Sequence, residues 1–261
     1  MEKIKFSTSL SDVDYYYDAC IQASLNGKLF NKFRRNKSYR RILEHISQKR
    51  GNAYLKEILD TNPGILKNSD IFRQNDEWGN PLTYDYPEIG QMSPSTIRYI
   101  KVLSDLELIF GSLDNLNICE IGGGYGGQCR IINSIYKPKK YTLVDIKASL
   151  MLAQRYLDKY VLNSVMEFKT MNELEIANYD LIISNYAFTE LTREVQSVYL
   201  NKAILNSTKG YITYNDIVPE SFNSYKKNEL LQLLKGSFEM EERPLTHDNN
   251  CIIVWGGNKI T

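Results

Sequence analysis

Histidine is nearly absent from this sequence of 261 residues, with only His45 and His247 present. A polyhistidine metal centre is therefore excluded, and any imidazole chemistry falls to one of those two positions. Cysteine is sparse too. Cys20, Cys119, Cys129 and Cys251 form no C-x-x-C pair, which excludes a zinc ribbon, a thioredoxin-type dithiol and a disulfide scaffold. No apolar run approaches the ~20 residues needed to cross a bilayer, so no transmembrane segment is expected. Acids interrupt the N-terminus where a secretory leader would need a continuous apolar stretch. A cytoplasmic location is the expectation. An excess of one charge is also lacking. The chain has 32 basic and 31 acidic side chains, a net of +1, which gives no reason to expect a nucleic-acid partner.

The near-neutral total is unevenly distributed. Residues 1–60 carry 12 basic and 7 acidic side chains. Lys28, Lys32, Arg34, Arg35, Lys37, Arg40, Arg41, Lys49 and Arg50 are set against Glu44 alone. Phe30, Phe33, Ile42 and Ile46 recur in that run at roughly helical spacing. The simplest expectation is a surface helix with a solvated basic face. The alternative is a helix that attracts an anionic substrate or makes peripheral contact with a membrane surface. Residues 1–67 thus read as a mainly helical basic region. Residues 68–94 are rich in Gly, Pro, Asn and Asp, with Trp78, Tyr84 and Tyr86. They show no period and read as an ordered lid or substrate-facing segment. Ser95 is placed to cap a helix carrying Ile97, Ile100, Leu103, Leu106 and Phe110.

Residues 95–261 form the third unit, and after Gly111 a regular alternation begins. Strands are predicted over 116–122, 141–146, 164–170, 179–185 and 210–216. Helices are predicted over 126–136, 148–160, 190–206 and 222–234. A final strand pair, SFEMEE and NCIIVWG, closes the chain. Strands alternating with helices imply an α/β fold with a parallel, Rossmann-like sheet and helices on both faces.

The chemistry-bearing text is Glu120-Ile-Gly122-Gly123-Gly124-Tyr125-Gly126-Gly127-Gln128. Glycines allow a sharp strand-to-helix turn and close backbone approach to a ligand. Asp145 ends the next predicted strand, where a carboxylate can accept bonds from both hydroxyls of a ribose. Two ligand classes compete. A dinucleotide would put pyrophosphate at the helix N-terminus, close to the acid Glu120. S-adenosylmethionine (SAM) brings an ammonium and a sulfonium, which that acid suits. The closing strand pair also favours the methyltransferase form of the fold. A nicotinamide-dependent oxidoreductase is the rival enzyme, and a non-catalytic SAM-binding partner in a glycan pathway is the third reading.

The segment ICEIGGGYGGQ resembles motif I of class I SAM-dependent methyltransferases. Together with NDEWGNP (75–81), SPSTIRYIKVL (93–103), YDLIISNYAFTEL (179–191) and PLTHDNNCIIVWG (244–256), the chain is similar to bacterial sugar O-methyltransferases found with surface-polysaccharide genes. The resemblance covers about residues 70–256. It implies a class I methyltransferase fold with a seven-stranded sheet, SAM as donor, and a sugar, sugar-nucleotide or glycan acceptor. The end of the fourth strand, Ser184-Asn185-Tyr186-Ala187, then faces the methyl group. It lacks the prolines of the N-P-P-Y-type sequence seen in nucleic-acid amino-methyltransferases.

On that reading Arg98 is a candidate clamp for the SAM carboxylate. Gly122, Gly124, Tyr125 and Gln128 line the donor site with Glu120, and Asp145 holds the ribose. Ile146, Met171 and Asn172 are adenine contacts by position. Transfer to a hydroxyl also needs a base. His247 is the first candidate, the alternative being an exposed turn histidine. Glu190 is a base or substrate ligand, or else an acid complementing the first turn of a helix. Asp216 binds sugar or metal, or caps a turn. No metal is expected.

Overall fold

The computed structural model describes residues 8–9 and 13–259. The N-terminal region forms helices α1 (Asp14–Leu25), α2 (Gly27–Phe30), α3 (Lys37–Ile42) and α4 (Gln48–Thr61). The basic run is therefore not one helix. Asn26, Asn36 and Ser47 each accept a backbone N–H at a helix start, which divides it. Nor is the whole run a solvated face. Arg34 is fully buried and binds Glu44 Oε1 at 2.8 Å, Asp76 Oδ1 at 2.8 Å and Ser93 Oγ at 2.9 Å. Its guanidinium lies 5.0 Å from the centre of the Tyr125 ring. One side chain thus ties the N-terminal region to the segment after it.

Residues 68–94 are largely folded, into α5 (Ser69–Arg73) and a hairpin of β1 (Tyr84–Tyr86) and β2 (Gly90–Met92). Asn75, Tyr86, Ile89 and Met92 of this stretch are buried. Helix α6 (Pro94–Phe110) follows. Its cap is Ser93, whose Oγ accepts from Thr96 N at 3.2 Å, and Pro94 occupies the first turn. Ser95, the expected cap, instead donates to Glu44 Oε2 at 3.0 Å.

The main sheet contains β3 (Asn117–Ile121), β4 (Lys140–Val144), β5 (Val165–Lys169), β6 (Tyr179–Asn185), β7 (Ser207–Tyr214), β8 (Phe238–Glu241) and β9 (Cys251–Trp255). Its order is β5-β4-β3-β6-β7-β9-β8, and only β9 runs against the others. Numbered within this sheet, the order is 3-2-1-4-5-7-6, the class I methyltransferase arrangement the sequence led us to expect. The inner strands are apolar on both faces because helices cover both. Helices α7 (Gly127–Ile135) and α8 (Lys147–Leu157) pack with α6 on one side. Helices α9 (Arg193–Lys202) and α10 (Lys227–Leu233) lie on the other.

Both of these last helices are shorter than predicted. A 3₁₀ turn at Ala187–Glu190 and extended backbone at Leu191 and Thr192 delay α9. Asn223 adopts a left-handed conformation and Ser224 Oγ donates to Leu191 O, so α10 starts later. Tyr16, Phe30, Tyr39 and Ile58 of the N-terminal helices share one core with Ile118, Tyr141, Leu181 and Tyr211 of the sheet.

Candidate functional site

Strand order reverses between β3 and β6, because β4 and β7 lie on their opposite sides. Open α/β sheets bind ligands beyond the carboxyl ends of their strands at such a switch point. The loops after β3 and β6 meet there. A Cβ built on Gly122 would lie 2.0 Å from the Ala187 Cβ, and Gly122 has φ +77°. Gly124, at φ +57°, faces Leu43 from the N-terminal region, whose Cδ1 would lie 2.8 Å from an added Cβ. Glycine is thus favoured by conformation at both positions and required by space at Gly122.

Asp145 follows β4 and is half-buried. Its Oδ2 accepts from Gly124 N at 2.9 Å and its Oδ1 from Ile146 N at 2.7 Å. The carboxylate is therefore fixed against the glycine turn. Burial pushes it up to about 6, against the pull of those two N–H donors. Glu120 is buried, and its Oε2 accepts from the Tyr141 hydroxyl at 2.7 Å. Desolvation raises this acid to about 7. Ile146 and Met171 are half-buried, and Asn172 is exposed.

Other expected donor-site residues are engaged elsewhere. Tyr125 is fully buried, its ring against Phe33, Tyr99 and Tyr156. Gln128 is buried, with Nε2 donating to Tyr99 O and Oε1 lacking a partner among the described residues. Ser184 Oγ donates to Ile121 O and accepts from Phe188 N, which braces β6 against β3.

A second, small concavity of about 20 Å³ lies beside the end of β6. Tyr54, Arg98, Asn185, Tyr186, Thr213 and Glu242 contribute to its wall. Tyr186 has φ +70° and ψ −41°, a strained conformation for a non-glycine residue. Its hydroxyl donates to Glu242, which also accepts from Thr246 N and Thr246 Oγ1. Among the described residues, Asn185 Oδ1 is buried without a partner. Arg98 is half-buried, with its guanidinium 5.4 Å from the Tyr99 ring centre.

The three expected bases do not share a hydrogen-bond network. Glu190 is half-buried, accepts from Asn215 Nδ2 at 2.7 Å, and is raised by burial. Asp216 is exposed, 3.5 Å from the Tyr214 hydroxyl. His247 is exposed in the loop between β8 and β9, and its carbonyl accepts from Asn250 N.

Sequence reasoning missed Glu242 and Tyr54. Glu242 had a legible signal. Phe238 and Met240 of β8 face inward while Glu239 and Glu241 are exposed, so a period of two places Glu242 inward. Nothing in the sequence marked Tyr54.

No family model matches the chain, and no curated protein matches it by sequence. Similar solved structures include magnesium protoporphyrin IX methyltransferase (ChlM) from Synechocystis PCC 6803 with bound SAM. It is 13% identical with a TM-score of 0.45, covering 78% of this chain and 95% of that one. The pyocyanin biosynthetic protein PhzM is 13% identical with a TM-score of 0.42, covering 61% of this chain and 57% of that one. An O-methyltransferase of neocarzinostatin biosynthesis (NcsB1), complexed with SAM and a hydroxylated naphthoic acid, is 12% identical with a TM-score of 0.40. That match covers 62% of this chain and 57% of that one.

Proposed function

We propose that the protein is a SAM-dependent O-methyltransferase that methylates a sugar hydroxyl, carried on a sugar nucleotide or glycan, in surface-polysaccharide synthesis. The observation that carries the donor half is Asp145, held beside the glycine turn at the switch point of the sheet. Each of its oxygens accepts one backbone N–H and keeps capacity for a ribose hydroxyl. The turn carries no side chain at Gly122 or Gly124, and Ile146, Met171 and Asn172 are the proposed adenine contacts. Glu120 next to the turn suits a cationic ligand better than a pyrophosphate. When bound, SAM supplies an electrophilic methyl group on a sulfonium. The chain's own part is to align the acceptor oxygen and to take up its proton. Glu190 and His247 are the proposed bases. The sugar half rests on the resemblance of the five segments named above.

Calorimetric titration tests the donor site. Wild type is expected to bind SAM, and Asp145→Ala to lose at least about tenfold in affinity, or 1.4 kcal/mol. Unchanged binding by the variant would remove Asp145 from the site, while retention of NAD(H) without SAM binding would establish the oxidoreductase. Mass spectrometry of the surface polysaccharide with and without the gene tests the acceptor. Loss of one O-methyl group is expected, and an unaltered glycan overturns the sugar assignment.

A further inference from the structure

Three peculiarities fall in one cleft, between α4, α6 and the carboxyl-terminal ends of β6 and β7. The first is an unbalanced cation. Lys101, on the same wall, is paired with Asp105 at 2.7 Å, and Arg243 with Glu241 at 2.8 Å. Arg98 has no carboxylate partner among the described residues and rests on the Tyr99 ring instead. The acid that lines the cleft, Glu242, is already committed to Tyr186 and Thr246. The second peculiarity is Asn185 Oδ1, a buried acceptor with no donor among the described residues. Such an atom is costly to bury unless something donates to it. The third is Tyr186, whose strained backbone turns the end of β6 into the cleft wall and is held by the bond to Glu242.

A partly desolvated guanidinium presents a planar fork that matches carboxylate and phosphate oxygens. An orphaned amide oxygen calls for a hydroxyl or N–H donor. The ligand that satisfies both is an anion that also carries hydroxyl groups. We infer that this cleft is the acceptor subsite and that its acceptor is an acidic sugar derivative, with the anionic group on Arg98 and a ring hydroxyl donating to Asn185. This rests on the methyltransferase reading for the word acceptor, and it moves Arg98 from the donor's carboxylate to the acceptor. It also moves anion recognition from the N-terminal basic run into the cleft.

Titrations with S-adenosylhomocysteine, UDP-glucuronate and UDP-glucose test the assignment without turnover. Wild type is expected to bind UDP-glucuronate, and Arg98→Gln to weaken that binding about tenfold or more. Arg98→Lys, which keeps the charge but loses the fork, should fall between them. Weakening of UDP-glucuronate alone identifies the sugar carboxylate as the anion, and equal weakening of both ligands identifies the diphosphate. Asn185→Ala should weaken both by several-fold. The inference is overturned if neither sugar nucleotide binds, if Arg98→Gln leaves both affinities unchanged, or if that variant instead loses S-adenosylhomocysteine. Arg98-dependent binding of UDP-glucuronate by a wild type that does not bind S-adenosylhomocysteine overturns the donor reading and keeps the cleft as an anionic-sugar site.

Discussion

Adding one methyl group at Gly122 brings it to 2.0 Å from Ala187 on a backbone at φ +77°. Gly236 has a similar φ of +74° with nothing within 4 Å of an added Cβ. The pair separates steric exclusion from backbone strain. Gly236→Ala is expected to cost about 1–2 kcal/mol for the left-handed backbone alone. Gly122→Ala adds an overpacking cost of about 1–3 kcal/mol and disturbs both loops of the candidate donor site. Urea denaturation measures the difference, and equal losses would mean that the loops after β3 and β6 are free to part. Glu120 supplies a second test at this scale. Its folded-state value of about 7 lies above the usual 4.5, so the folded protein binds the proton more tightly than the unfolded chain. The associated stability is fully present below pH 4.5 and is lost as pH rises to about 7. Wild type should therefore lose stability on the order of 3 kcal/mol relative to Glu120→Gln between pH 4.5 and 8. Denaturation midpoints of the two proteins that move in parallel with pH would refute the upward shift of this buried acid.

At the scale of elements, the N-terminal helices are fastened by Arg34 rather than displayed by it. Its partners come from the loop after α3, the loop after α5 and the cap of α6. Removing it would strand Glu44 and Asp76 in a dry interior. Arg34→Ala is expected to cost about 3–5 kcal/mol. Lys49→Gln, in the same basic run but exposed, should stay within about 0.5 kcal/mol. Thermal melts of the two variants check this, and similar losses would return Arg34 to the surface. The elements themselves were readable to different depths. The strands were predicted within a few residues because buried parallel strands are written as short apolar runs bounded by turns. The basic run was misread as a helix because four apolar residues at helical spacing outweighed the asparagine caps that interrupt it. The segment 68–94 hid α5 and a hairpin, since elements of three to five residues are too short to show a period.

In the whole molecule, one core runs from α1 through α4 into the sheet, while a second lies under α9 and α10. The two tryptophans sample both, with Trp78 packed on the first and Trp255 within the second. If these cores unfold together, fluorescence of Trp78→Phe and of Trp255→Phe should follow the same denaturation curve. Two separated transitions would show instead that the N-terminal region is an independent unit.

The glycine turn, the acid after β4 and the alternation of strands and helices act through neighbours in the chain, so the order of residues alone determined the α/β class and the candidate donor site. The second cleft draws Tyr54, Arg98, Asn185 and Glu242 from four distant parts of the chain. Their meeting depends on how α4 and α6 pack against the sheet and on where β8 enters it beside β9. Burial and, among the described residues, the lack of a carboxylate for Arg98 and of a donor for Asn185 are properties of that packing. Only the tertiary structure decided them, because desolvation and pairing depend on which groups lie close in space rather than on their spacing along the chain.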